Sequence, residues 1–177
     1  VRDSASNIIQ YAYMTWIRDL TGNCNWLTTR PPADWARAND GARIAMFYPG
    51  ERFGIGGGHA FGGDLDGTRK LIGEAQSAAA VPLLISGDLE AGAGQRIASC
   101  TQFAGQLALG ACRDAKLAYR FGEAIAVEGT AVGFNWAFGP VVDLSIHPGN
   151  LSNIRCLGSR PAAVGRLGAA IIRGIQD

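Results

Sequence analysis

Apolar positions along the chain alternate between helical stripes and short continuous runs. Residues 4–20 set Ile8, Ile9, Tyr11, Tyr13, Trp16 and Ile17 behind a capping Ser4, which predicts a helix. Thr21 to Ala33 is polar and broken, and Pro31-Pro32 ends any regular element. Asp34 is placed to cap a short helix from Trp35 to Met46, which Gly41 weakens. Beyond Pro49 the pattern changes. Residues 53–61 (Phe-Gly-Ile-Gly-Gly-Gly-His-Ala-Phe) predict a short glycine-rich strand and its turn. A helix from Asp66 to Ala80 follows, with Leu71, Ile72 and Ala75 on one side. The unbroken run Val81 to Ser86 is the pattern of a parallel strand buried on both faces, with Pro82 at its very start.

The next predicted helix spans Arg113 to Val132, where Leu117, Phe121, Ile125 and Glu128 share a face. Phe134 to Phe138 and Val141 to Leu144 form a strand region interrupted by Gly139-Pro140. A last helix runs from Pro161, suited to a first turn, to Ile175, with a stripe of Val164, Leu167, Ile171, Ile172 and Ile175. Strands alternating with helices call for βαβ units and a mainly parallel sheet. Doubly wound sheets and closed barrels both satisfy that pattern. Three or four strands are legible, whereas a closed (β/α)8 barrel needs eight and typically ~250 residues. The organisation read from the pattern is an N-terminal helical segment, 1–52, of unassigned role, followed by an α/β region, 53–177.

Composition narrows the classes. At 177 residues the chain holds one core, and 47% hydrophobic with 18% charged residues is the balance of a soluble globular protein. No segment reaches the ~18 consecutive apolar residues of a membrane span. The net charge of +1 argues against a nucleic-acid binder. The 25 glycines show no collagen-like period and point to turns or close backbone approaches. Cys24, Cys100, Cys112 and Cys156 lack metal-knuckle spacing and are read mostly as buried thiols, with one or two disulfides as the alternative in an exported protein. The chain starts at Val1 without a basic-then-apolar leader, so either a leader has been removed or the sequence starts mid-gene, and the compartment stays open.

The segment richest in candidate chemistry is Ile85 to Arg96, a buried strand running into a loop that bears Asp88, Glu90 and Arg96 among small residues. Parallel α/β folds bind ligands at the carboxyl ends of strands. A carboxylate there accepts hydrogen bonds from sugar hydroxyls, and an arginine fork donates several in fixed geometry. Asp88 capping a helix or pairing structurally with Arg96 fits the spacing equally well. A second loop, Asn150 to Gly158, also follows a strand, and by composition alone its Arg155 reads as a surface residue.

Taken together the segments resemble the N-terminal half of glycoside hydrolase family 3. Asp88, Glu90, Gly92 and Arg96 stand where members show Asp-x-Glu-x-Gly-x-x-x-Arg. Thr101-Gln102-Phe103, Ala108 to Ala111, Gly122 to Ala126, Glu128 to Asp143, Arg155 to Gly158 and Leu167 to Gln176 follow in order and at family spacing. The resemblance implies a TIM-type (β/α)8 barrel, incomplete in this chain. It further implies a retaining glycosidase of β-N-acetylglucosaminidase or β-glucosidase type, nearer the glucosaminidase branch, needing no cofactor. By the same resemblance Asp88 binds hydroxyls of the sugar, Arg155 contacts that sugar, and Arg96 borders the pocket. The sequence departs from the family at Ala104, Cys156, Leu157, Arg160 and Thr130, which bears on pocket shape rather than fold. The family's acid/base loop and nucleophile would lie beyond Asp177, so no catalytic residue is assigned. The alternatives are a non-catalytic sugar-binding remnant and a complete flavodoxin-like domain.

Other signals are weaker. His59 matches no catalytic position, and His147 has no partner at ligand spacing, so no metal site is expected. The glycine run at 54–58 lacks the phosphate-loop signatures, and no GxSxG elbow occurs. Glu128 and Asp143 are read as structural partners in a barrel wall, and Trp136 and Phe138 as core. The expected partner is a carbohydrate with β-linked N-acetylglucosamine or glucose. A half barrel exposes sheet edges, so self-association or docking of the remaining barrel half is also expected.

Overall fold

The computed structural model describes residues 43–47 (backbone only), 56–79, 81–147, 149 and 152–177. The chain divides into two compact units between Ser86 and Gly87. The helix expected at 4–20, the broken segment after it and Cys24 lie outside the described residues.

In the first unit, β1 (Arg43–Phe47) pairs antiparallel with β2 (Gly57–Gly62), with Ile44 opposite Ala60 and Phe47 opposite Gly57. The helix expected over 35–46 therefore gives way to strand from Arg43 onward. Arg43-Ile44-Ala45-Met46-Phe47 carries too few residues for the two periods to be told apart, and the ladder to β2 decides. β2 runs parallel to the first residues of β3 (Leu84–Asp88), pairing Gly57 with Leu84 and His59 with Ser86. A side chain at Gly57 would collide with the Leu84 carbonyl, which explains a glycine at that register. Between the two strands lies α1 (Leu65–Ala78), capped by Asp64, whose carboxylate accepts from Gly67 N at 2.8 Å. Ile72 and Ala75 face inward as expected. The Gln76 amide ties the return to β3 by accepting from Leu83 N at 2.9 Å and donating to Leu83 O at 3.0 Å.

β3 starts later than expected, with Val81, Pro82 and Leu83 ahead of it, and from Ile85 to Gly87 it is buried on both faces. Leu83 and Ile85 are buried, but Leu84 between them is 53% exposed. His59 is buried and structural. Ser86 Oγ donates to Gly58 O at 3.3 Å and lies in hydrogen-bond contact with His59 Nδ1 at 2.9 Å.

The second unit is built on two long helices, α3 (Ala115–Val132) and α4 (Pro161–Gln176). Asp114 caps α3 through Lys116 N at 2.8 Å and Leu117 N at 3.3 Å, and left-handed Gly133 ends it. The buried face of α3 runs through Ala118, Phe121, Gly122, Ile125, Gly129 and Val132. That of α4 runs through Val164, Leu167, Gly168, Ala170, Ile171 and Gly174. Both stripes are rotated from expectation, and Leu117 and Ile172 are exposed. The cause is glycine. A Cβ at Gly122 would overlap the Ile171 carbonyl, and one at Gly174 the Tyr119 carbonyl, so the helices meet backbone to backbone along those residues.

A further helix, α2 (Gln106–Cys112), is absent from the sequence reading. Its seven residues are too short for a periodic stripe, and Arg113, left-handed at φ 55°, ends it. The expected start of α3 at Arg113 moves accordingly to Ala115. β4 is only Trp136–Phe138, and Leu89 N donates to Phe138 O at 3.3 Å. Val141 to Leu144 is not strand: after Gly139-Pro140 its Val141 N–H goes to a side chain, Gln106 Oε1, at 3.2 Å. Trp136 is 47% exposed rather than core, its ring edge-on to Phe138 at 5.0 Å. Cys156 is the buried thiol expected, whereas Cys100 is half-buried and Cys112 exposed; all three are free.

Candidate functional site

Asp88 is the last residue of β3, and the chain turns sharply after it. The turn is fixed by Gly92, at φ 95°, where a side chain would strike the Thr101 carbonyl and come within 2.9 Å of the Phe103 ring. Ala93–Gln95 form one 3-10 turn, and Gln95 Oε1 accepts from Ala91 N at 2.9 Å. Buried Ile97 anchors the far end. This closed loop swings Arg96 back onto Asp88, and Arg96 Nη2 and Asp88 Oδ2 form an ion pair. Both side chains stay partly exposed.

The outer wall of the loop is held from α3. Glu128 accepts from Thr101 N at 2.8 Å and from Thr101 Oγ1 at 2.6 Å. Thr101 O takes Gly94 N at 2.9 Å, Phe103 N reaches Ala91 O at 2.7 Å, and Phe103 packs on Phe121 with ring centres 5.0 Å apart. Glu128 is thus the structural partner expected. Asp143 is exposed, and its influence is electrostatic.

Arg155 rides on a separate turn. Arg155 N and Cys156 N both bond Ser152 O at 2.9 Å, and Cys156 Sγ donates to the same carbonyl. Leu107 N takes Ile154 O at 3.3 Å, and Gly110 allows the Leu157 carbonyl to touch α2. So placed, Arg155 reaches Glu90. Its Nε donates to Glu90 Oε2 at 2.7 Å, and its Nη2 pairs with Oε1 in a two-pronged contact. The Glu90 side chain is only 8% exposed, while that of Arg155 is 51% exposed. The hydrogen bond to Glu90 and then its charge push the Arg155 pKa further up, against burial, and Asp88 and Asp143 add to the rise.

Of the three predicted site residues, Asp88 and Arg96 meet directly, while Arg155 pairs with Glu90, two residues after Asp88. Reasoning from sequence missed Glu90 as the holder of Arg155, and Gln106, which lies buried behind it. Neither contact has a local signal, since the partners are 65 and 16 residues apart. Chemically the rim offers two carboxylates and two guanidinium groups, suited to hydroxyl recognition. Among the described residues no group of three His, Cys, Asp or Glu could hold a metal, and no helix is long and apolar enough to cross a membrane. An open groove of about 390 Å³ between α3 and α4, lined in part by Lys116, Tyr119 and Arg173, shares no residue with these loops.

Residues 66–177 match the family described as Glycosyl hydrolase family 3 N terminal domain. The chain is 40% identical over 102 residues to a β-N-acetylglucosaminidase/β-glucosidase of Cellulomonas fimi, covering 57% of this chain and 18% of that protein. Among solved structures it resembles a family 3 β-N-acetylglucosaminidase from Paenibacillus sp. str. FPU-7, with TM-score 0.60 and 39% identity over 64% of this chain and 23% of the other. It also resembles the β-glucoside phosphorylase BglX, with TM-score 0.61 and 33% identity over 64% of this chain and 21% of the other. The chain therefore spans less than a quarter of the length of each. These likenesses make its α/β architecture part of a TIM-type (β/α)8 barrel, incomplete in this chain, and set aside the flavodoxin-like alternative.

Proposed function

Because the chain belongs to glycosyl hydrolase family 3, we propose that it forms part of the sugar-binding subsite of a retaining β-glycosidase. The sugar recognised is a terminal β-linked N-acetylglucosamine or glucose. The observation that carries this reading is the carboxylate of Asp88 at the end of β3, held by Arg96, with the half-exposed Arg155 fixed beside it by Glu90. Asp88 accepts from sugar hydroxyls, and Arg155 donates with the nitrogen that Glu90 does not use. The names of the Cellulomonas fimi and Paenibacillus proteins support the choice of sugars.

No described residue is assigned as nucleophile or acid/base. A retaining reaction needs two such groups flanking the bond, ~5 Å apart when both are carboxylates. Asp88 and Glu90 are each engaged by an arginine and serve binding. That same internal pairing favours a second reading, a sugar-binding remnant without turnover. Steady-state kinetics of the intact protein on aryl β-N-acetylglucosaminides and β-glucosides separates the two, run with and without inorganic phosphate because one relative is named a phosphorylase. Asp88→Ala is expected to lower kcat/KM about a hundredfold, the loss of charged hydrogen bonds. Turnover that Asp88→Ala abolishes removes the remnant reading, and turnover that it leaves untouched removes Asp88 from the subsite.

A further inference from the structure

Gln106 stands in the first turn of α2 and is 1% exposed, yet both ends of its amide are hydrogen-bonded. Nε2 donates to Glu90 O at 3.0 Å, and Oε1 accepts from Val141 N at 3.2 Å. The amide can lie only one way round, because Glu90 O must receive a hydrogen and Val141 N must give one. Both partners are main-chain groups outside the named strands. Glu90 lies just past the end of β3, and Val141 just past the Gly139-Pro140 break after β4. One buried side chain thus joins the backbone beneath Glu90 to the segment that leaves β4, and it does so from the helix on which the Arg155 loop is docked.

We infer that Gln106 is a positioning residue for sugar recognition, setting the Glu90 backbone so that its carboxylate holds Arg155 in register with Asp88. The inference rests on the sugar-subsite reading and deepens it. Glu90 is short and buried, so moving its Cα moves the carboxylate directly. Arg155 is half-exposed and long, and it keeps one orientation only while both Glu90 oxygens meet it. Gln106 touches neither sugar nor Arg155; its effect passes through Glu90.

The test is calorimetric binding of N-acetylglucosamine and of glucose to the intact protein, comparing wild type, Gln106→Leu, Arg155→Ala and the double variant. Gln106→Leu is expected to weaken binding about tenfold, and to add little once Arg155 is already alanine. Gln106→Glu guards against misfolding of the leucine variant, since it keeps the shape and still accepts from Val141 N. Facing Glu90 O in a buried site, a carboxyl there must be protonated to bond it, so affinity should recover toward wild type as pH falls. Gln106→Leu should show no such recovery. Arg155→Ala binding both sugars as wild type, or wild type binding neither, overturns the subsite reading and this inference together. Weakening by Arg155→Ala with a Gln106→Leu effect that adds in full, or Gln106→Glu without recovery at low pH, overturns the positioning inference alone.

Discussion

The α3–α4 pair and the strand-end rim belong to one unit and are held by opposite means. The helices are fastened by apolar stripes and by Gly122 and Gly174, where even a methyl group has no room. The charged groups of the rim are held by polar contacts. The rim is fastened by Asp88 with Arg96, Glu90 with Arg155, and buried Gln106 behind them. Packing of the first kind is dense and unforgiving of added volume. Polar fastening of the second kind contributes little net stability, because each group exchanges water for its partner. It does fix where charged groups point. The helices thus supply stability and the rim supplies orientation.

The comparison breaks most visibly at the helix contact. Gly174→Leu forces a side chain against the Tyr119 carbonyl and to within 3.0 Å of Glu123 N. The expected cost is about 3 kcal/mol, at the upper end for overpacking, read from denaturant or thermal unfolding. Gly165→Ala is the control on the same helix. Nothing lies within 4 Å of its new methyl, so it should gain roughly 0.5–1 kcal/mol from helix propensity. Equal stability of the two variants would refute the backbone-contact account.

The difference also explains what the sequence makes legible. A helix such as α4 declares itself through Pro161 and the spacing of Val164, Leu167 and Ile171, because its own residues carry the period. Even there the true face was rotated toward Gly168 and Gly174, since hydrophobic periodicity gives no weight to glycine, and close approach is a property of two helices together. Asp88 and Arg96 were legible as a pair because one short loop contains both. Family resemblance, rather than composition, raised Arg155 above a surface residue. The partner of Glu90 and the role of Gln106 stayed hidden because the contacts come from distant turns. Short elements failed for a related reason: β1 and α2 each hold too few residues to show a period.

A smaller effect on stability, with a larger one on binding, is expected at the rim. Glu90→Gln keeps the volume and removes the charge that holds Arg155. The half-exposed guanidinium recovers water, so unfolding stability should fall by only about 1 kcal/mol. Sugar affinity, measured on the same preparation, should fall about tenfold as Arg155 loses its fixed direction. Loss of stability matching that of Gly174→Leu would mean that the rim is part of the scaffold and erase the contrast. The Arg155 pKa is raised above its ordinary value by the hydrogen bond to Glu90, so its contribution is complete below the unfolded value and is lost only as pH climbs through the folded one.

The smallest effect separates the fixed charge of Arg155 from the neutral group beside it. Cys156 follows Arg155 directly, but its thiol is buried and bonded to Ser152 O. Burial pushes its pKa above the ordinary 9.0, Asp143 adds to the rise, and Arg155 opposes it. A raised value means that the folded state prefers the protonated thiol. Its contribution to stability is therefore full below pH 9.0 and is lost as pH rises through the folded value. Cys156→Ser should flatten that alkaline decline by a modest amount, seen as a smaller loss of Tm between neutral and alkaline buffer. Timed alkylation of the native protein, read by peptide mass spectrometry, gives the same answer at neutral pH. Exposed Cys112 should label first and Cys156 last, because only an accessible thiolate reacts. Labelling of Cys156 as fast as Cys112 would mean that the Arg155 loop opens in the native protein, and that its hold on the rim is weaker than its hydrogen bonds imply.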